Sequence, residues 1–133
     1  TEAPLATATV TVTGEGGRTA KGASSDLLVP KWFEKDPRKS PDEDSAALAA
    51  SAEDAFALGE SLGPATVFDL WSQLHQGRVG NQPKDASDLL IRGFGVALLE
   101  RAVMDATCRL HGVAFHQALR CDLFGFRPEN EEN

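Results

Sequence analysis

Residues 5–13, LATATVTVT, alternate without a break: Leu5, Thr7, Thr9, Thr11 and Thr13 fall on one side, Ala6, Ala8, Val10 and Val12 on the other. A period of two with β-branched content predicts a strand with one face on a core. GEGG at 14–17 then reads as a hairpin turn. A phosphate-cradling loop would continue with Gly-Lys-Ser/Thr and a helix, whereas RTAKGASS runs on like a strand. The second strand is expected over 18–24, giving a hairpin over 5–24. Pro30, Pro37 and Pro41 forbid a regular helix across the next stretch. Residues 24–40 are therefore read as a long loop that holds Leu27, Leu28, Val29, Trp32 and Phe33.

Helical periodicity takes over at residue 41. Ser40 is a natural N-cap, Pro41 suits the first helical position, and Glu43 completes a capping box. Asp42, Glu43 and Asp44 then lie in the first turn, where the helix dipole favours anions, and that explains them without a metal. Leu48, Ala52, Ala55 and Phe56 form the apolar stripe, and Gly63-Pro64 ends the helix. A second helix is expected over 66–77, capped by Thr66 with Asp69, with Val67, Leu70, Trp71 and Leu74 on one face. The third runs from about Ser87 to Leu110 and stops at Gly112. Its apolar residues (Leu90, Phe94, Leu98, Leu99, Ala102, Val103, Ala106, Leu110) lie most of the way round, which predicts a central helix buried on several sides. Gly93, Gly95, Ala97 and Ala102 let neighbours approach it closely. A fourth helix is expected over 113–120, with Phe115 and Leu119 inward. The fold class is α+β: a short antiparallel hairpin or meander packed on three to four helices. One domain covers residues 1–125, its helices lying within 41–125, and 126–133 is an acidic tail.

Charge and chemistry narrow the function. A net charge of −7 argues against nucleic-acid binding. The one basic segment, Lys31, Lys35, Arg38 and Lys39 beside Trp32 and Phe33, reads as a solvated loop, because Asp36 interrupts it and acidic residues follow. No apolar run approaches the roughly 20 residues of a membrane span. The start, TEAPLATATV, has no signal-type pattern and no initiator Met, so the chain is expected to be processed or excised from something longer. Cys108 and Cys121 are read as reduced, core-facing thiols of a cytoplasmic protein. Cys108, His111 and His116 lack zinc-site spacing and a C-x-x-C partner, and no metal ligand is assigned. Arg101, Asp105 and Arg109, spaced i, i+4, i+8, share one face and are read as a structural clamp. A carboxylate between two arginines has its pKa pushed down, away from a general acid's range. No catalytic residue is assigned.

The order of elements, followed by LLERAVMDATCRLHGVAFHQALRCDLFG at 98–125, resembles the N-terminal capping domain of the enolase superfamily, in the mandelate racemase/muconate lactonizing enzyme branch. The positions that carry the likeness are Ala102, Asp105, Ala106, Gly112, Leu119 and Gly125, and it extends from about Ala6 to Gly125. The chain departs from the branch at Ala114, where Pro is usual, and at Asp122-Leu123-Phe124-Gly125, where Leu-Leu-Gly-Gly is usual. The family's first strand and the loop after it would lie before Thr1. The resemblance implies an enolase N-terminal-domain-like fold and a parent enzyme that uses Mg²⁺ to abstract a proton beside a carboxylate: a racemase, epimerase, cycloisomerase or dehydratase. That machinery sits on a (β/α)₈ barrel that would follow this chain, so the fragment is not catalytic alone. Its partners would be its own barrel and a small carboxylate substrate, with Ser25, Leu27, Trp32 and Phe33 as substrate-contact candidates. The alternative is a stand-alone α+β interaction module that binds a protein through the apolar loop at 27–33.

Overall fold

The computed structural model describes residues 3–80 and 85–127. The fold is α+β, a two-stranded antiparallel hairpin laid on a set of helices. β1 (Leu5–Thr13) pairs with β2 (Thr19–Leu27) through a tight turn at Glu15–Gly17, where Gly16 and Gly17 both have positive φ. α1 (Pro41–Ser61), α2 (Val67–His75), α3 (Ala86–His111) and α4 (Phe115–Arg120) follow, with a single π-type turn at Gln76–Gly80 after α2. β2 is longer than its sequence suggested: Ser25 and Leu27 are paired with Thr7 and Leu5 in the ladder, so the loop starts at Leu28. The Ser and Asp content of SSD hid the end of the strand, whereas pairing with the regular β1 extends it.

The alternation of β1 sets the layers. Ala6, Ala8, Val10 and Val12 face the helices and the threonines face out. α3 is the central element, in contact with both strands, α1, α2 and α4. Its Phe94, Val96, Leu98, Leu99, Ala102, Val103, Ala106 and Cys108 are buried. Two close approaches fix it. At Gly22 of β2 a Cβ would overlap the Ala106 nitrogen and stand 2.5 Å from the Ala102 carbonyl oxygen. At Gly95 it would meet the backbone of Ser51, whose buried hydroxyl donates to the Ile91 carbonyl at 2.6 Å and accepts from the Gly95 amide at 3.1 Å. α1 starts on the expected capping box, with Ser40 and Glu43 bonded reciprocally, and α3 ends on Gly112 at φ 64°.

Several side chains lie elsewhere than expected. Phe115 and Leu119 were expected inward, yet they are 53% and 41% exposed, and Ala118 is the buried residue of α4. A helix of six residues buries one narrow edge, and here Ala118 and the following Phe124 occupy it. Leu90 is exposed, because the first turns of α3 reach beyond the layer that covers its middle. Trp71 is half-buried, stacked between Phe68 and His75. Cys108 is buried, but Cys121, just past the end of α4, is exposed. Phe126 and Arg127 belong to the domain and not to a tail, since both amides donate to the Asp122 carboxylate. Residues 128–133 lie outside the described residues.

Candidate functional site

Asp105 projects from α3 to the open edge of β2. The odd-numbered amides of β2 point away from β1, and the Ala23 N–H donates to Asp105 Oδ2 at 2.9 Å. Arg109, one turn on, donates to the same oxygen at 3.0 Å. The Ala23 amide, with Arg109 behind it, holds the Asp105 carboxyl below the usual carboxylate range. Arg101, expected as the second arginine of a clamp, pairs instead with Asp26 at 2.9 Å. The stack of three is thus two ion pairs, each tying α3 to its own side chain or to β2. A strand brought this close competes for the same arginines, which spacing along one helix does not reveal.

The loop Leu28–Lys39 is built around Lys31. This residue has φ 61°, and its Nζ donates to the carbonyls of Asp36 at 2.8 Å and Lys39 at 2.6 Å. It also pairs with Asp44 Oδ2 at 3.1 Å, and that oxygen accepts the Lys31 backbone N–H at 3.2 Å. The side chain of Asp44 is only 3% exposed, and its Oδ1 has no hydrogen-bond partner. Asp44 is therefore more than helix-start acidity: it is the buried anchor of the loop. The signal was present in the spacing 44, 48, 51, 55, which places Asp44 on the buried stripe of α1. Lys39 pairs with Glu34 and Arg38 with Asp36, both at 2.7 Å, so the basic segment is internally neutralised and not merely solvated. These partners hold the carboxyls of Glu34 and Asp36 below their usual range.

Of the four substrate-contact candidates, three come together. Leu27, Trp32 and Phe33 line a cleft of about 300 Å³ with Val29, Asp26 and Phe94. Trp32 is 67% exposed, whereas Phe33 turns inward and meets Phe94 edge-on at 6.2 Å. Ser25 lies apart, on the outer face of the hairpin, with its hydroxyl 2.9 Å from that of Thr7. Beyond the Phe33–Phe94 contact opens a larger trough, about 520 Å³, between α2 and the first half of α3. Trp71, His75, Leu89 and Leu90 line it, and Arg101 with Asp26 lies at its rim. Sequence reading placed Trp71 in the core and gave Leu89 and His75 no role. Leu89 and Leu90 stand in the first turns of α3, ahead of the buried run that begins at Phe94, and their exposure left no mark in the sequence.

Among the described residues no group of three His, Cys, Asp or Glu side chains is placed to hold a metal ion. Among them, too, no helix is long and apolar enough to cross a membrane. No protein-family model, curated protein or solved structure matches the chain.

Proposed function

We propose that the chain is the capping domain of a Mg²⁺-dependent enzyme of the enolase superfamily, in the mandelate racemase/muconate lactonizing enzyme branch, and that it closes over the mouth of its own (β/α)₈ barrel in the cytoplasm. The observation that carries this proposal is the seam between β2 and α3. The residues behind the resemblance are the ones the seam requires: Ala102 and Ala106 because the Gly22 backbone rests on them, and Asp105 because the edge amide of Ala23 needs an acceptor. A second feature agrees. The odd-numbered amides of β1 point outward and no described residue pairs with them. Beside that edge runs a groove of about 450 Å³ lined by Phe56, Gly59, Leu70, Leu99 and Val103, room for the strand that the resemblance places before Thr1.

In this role the anchored loop presents Trp32, with Leu27 and Phe33 behind it, to the barrel mouth. It excludes water there and touches the distal part of a small carboxylate substrate. The Mg²⁺ ligands and the acid/base residue would belong to the barrel, so no step of the reaction is assigned to this chain. The exposure of Trp32 also favours a second reading, a stand-alone module that binds a protein through the 27–33 segment. The coding sequence beyond Asn133 separates the two. Strand–helix repeats with acidic residues at successive strand ends are expected for the cap; a stop codon directly after Asn133 would leave only the second reading.

A further inference from the structure

We propose that the trough between α2 and the first half of α3 binds a small amphipathic carboxylate. Its flat apolar body would lie against Leu89, Leu90 and Phe94 and meet Trp71 at the ring edge, and its carboxylate would take the open edge of Arg101. Every wall belongs to this chain, so the site stands whether or not a barrel follows.

Three observations carry this. The volume, about 520 Å³, falls in the roughly 300–1,000 Å³ range of small-molecule sites. The walls are already set: Trp71 is held between Phe68 at 5.6 Å and His75 at 5.0 Å, and Phe33 with Phe94 forms the partition from the cleft under Trp32. That partition separates the trough from the cleft under Trp32, and a compact body suits the space on its α2 side. Leu89 and Leu90, 40% and 49% exposed, are the apolar surface that such a body would cover.

The rim selects charge. Arg101 donates from Nη2 to Asp26 at 2.9 Å and from Nε to the Ala97 carbonyl at 3.3 Å. No described residue takes its Nη1 donors. The other oxygen of Asp26 is engaged by the Leu27 amide at 2.9 Å, so the carboxylate is fixed on one side of the guanidinium and leaves the far side open. A planar fork with donors to spare is matched by a carboxylate better than by any neutral group. Arg101 is the one lysine or arginine among the described residues that line the trough, so selectivity for an anion rests on this side chain.

The test uses naphthalene-2-carboxylate and its neutral carboxamide, titrated into the 133-residue chain and followed by ¹H–¹⁵N NMR at the Trp71 indole and Arg101 Nε–H. Saturable shifts are expected at both groups, with the acid binding at least about tenfold tighter than the amide. Arg101→Gln should remove that preference and leave the amide unaffected, while Arg109→Gln on the same helix changes neither. Ala97→Leu, at an exposed trough position, should fill the site and abolish binding of both. Equal binding of acid and amide, an Arg101→Gln variant that keeps the preference, shifts centred away from Trp71, or no saturation by about 10 mM would each overturn the proposal.

Discussion

The Asp105 carboxylate accepts the backbone N–H of Ala23 at 2.9 Å, so one side chain of the central helix closes an otherwise open position on the edge of β2. An unpaired edge is a template for unwanted strand pairing, and an acidic side chain bonded to it blunts that edge. The same oxygen holds Arg109, which makes the carboxylate the meeting point of sheet and helix.

Removing it should therefore cost stability in a way that distinguishes a hydrogen-bond acceptor from an ion pair. Asp105→Ala is expected to lose about 1–2 kcal/mol in urea denaturation, the value of a charge-assisted bond at a partly exposed site. Asp105→Asn should lose less than half of that, because its amide oxygen still accepts from Ala23. Equal losses for the two variants would mean that charge alone matters. The pH dependence follows from the lowered pKa. The folded value lies below the unfolded one, about 3.9, so the stabilisation is present above that value and is lost as pH falls through the folded pKa. The gap between wild type and Asp105→Asn should thus begin to narrow as pH falls below about 4 and close as pH passes the lowered folded pKa.

Glu100, five residues before Asp105 on α3, should behave in the opposite sense. Partial burial raises its carboxyl pKa, and the nearby Arg101 offsets this only in part. A carboxyl that binds its proton more tightly when folded gains stability as pH falls through its folded pKa. Glu100→Gln is expected to stabilise the chain at pH 7 by about 0.5 kcal/mol and to lose that advantage near pH 4. A melting temperature lowered at pH 7 would show that Glu100 has a favourable partner.

Gly22→Ala should be among the most damaging single substitutions. The new methyl group would meet the backbone of α3 at Ala102 and Ala106, neither of which can move aside as a side-chain tip can. Overpacking of this kind costs about 1–3 kcal/mol or more. Gly93→Ala, on α3 where a Cβ would meet nothing within 4 Å, is the control and should be neutral or slightly stabilising. If the two variants melt together, hairpin and helix are not in backbone contact.

These residues also show what the sequence revealed and what it withheld. The strict alternation of β1, the Ser40–Glu43 box and the apolar wrap of α3 are local patterns, and each produced its element. Asp105 was recognisable as a structural carboxylate because it stood among apolar residues with arginines in reach. Its first partner was not legible, since Ala23 lies 82 positions away and a backbone amide leaves no mark in the sequence. The exposure of Phe115 and Leu119 was hidden for a related reason: a short helix packs by whichever edge its neighbours leave, and Phe124 and Ala118 fill that place. Lys31 and Asp44 belong to segments read separately, one as a loop and one as a helix start, so their pairing required the fold.

That pair yields the last expectation. Lys31 ties two carbonyls of the loop, those of Asp36 and Lys39, to Asp44 of α1 through one ammonium group. Replacing it with Met keeps most of the apolar stem but leaves Asp44 buried without its cation. Breaking a buried pair on one side costs about 3–5 kcal/mol; the ammonium is partly exposed here, so about 2–3 kcal/mol is expected. The loop itself should loosen. In a Trp71→Phe background, where Trp32 is the sole indole, wild-type Lys31 should give red-shifted emission, because Trp32 is exposed, together with high anisotropy, because its backbone is held. Lys31→Met should lower the anisotropy with little change in emission maximum and should speed hydrogen exchange at Arg38 and Lys39. Trp32→Ala should leave stability within about 0.5 kcal/mol of wild type, since the indole packs on little. Low anisotropy already present with Lys31 intact would show that the ammonium does not hold the loop. Strong destabilisation by Trp32→Ala would return that tryptophan to the domain's own core and take from it any part in closing a site.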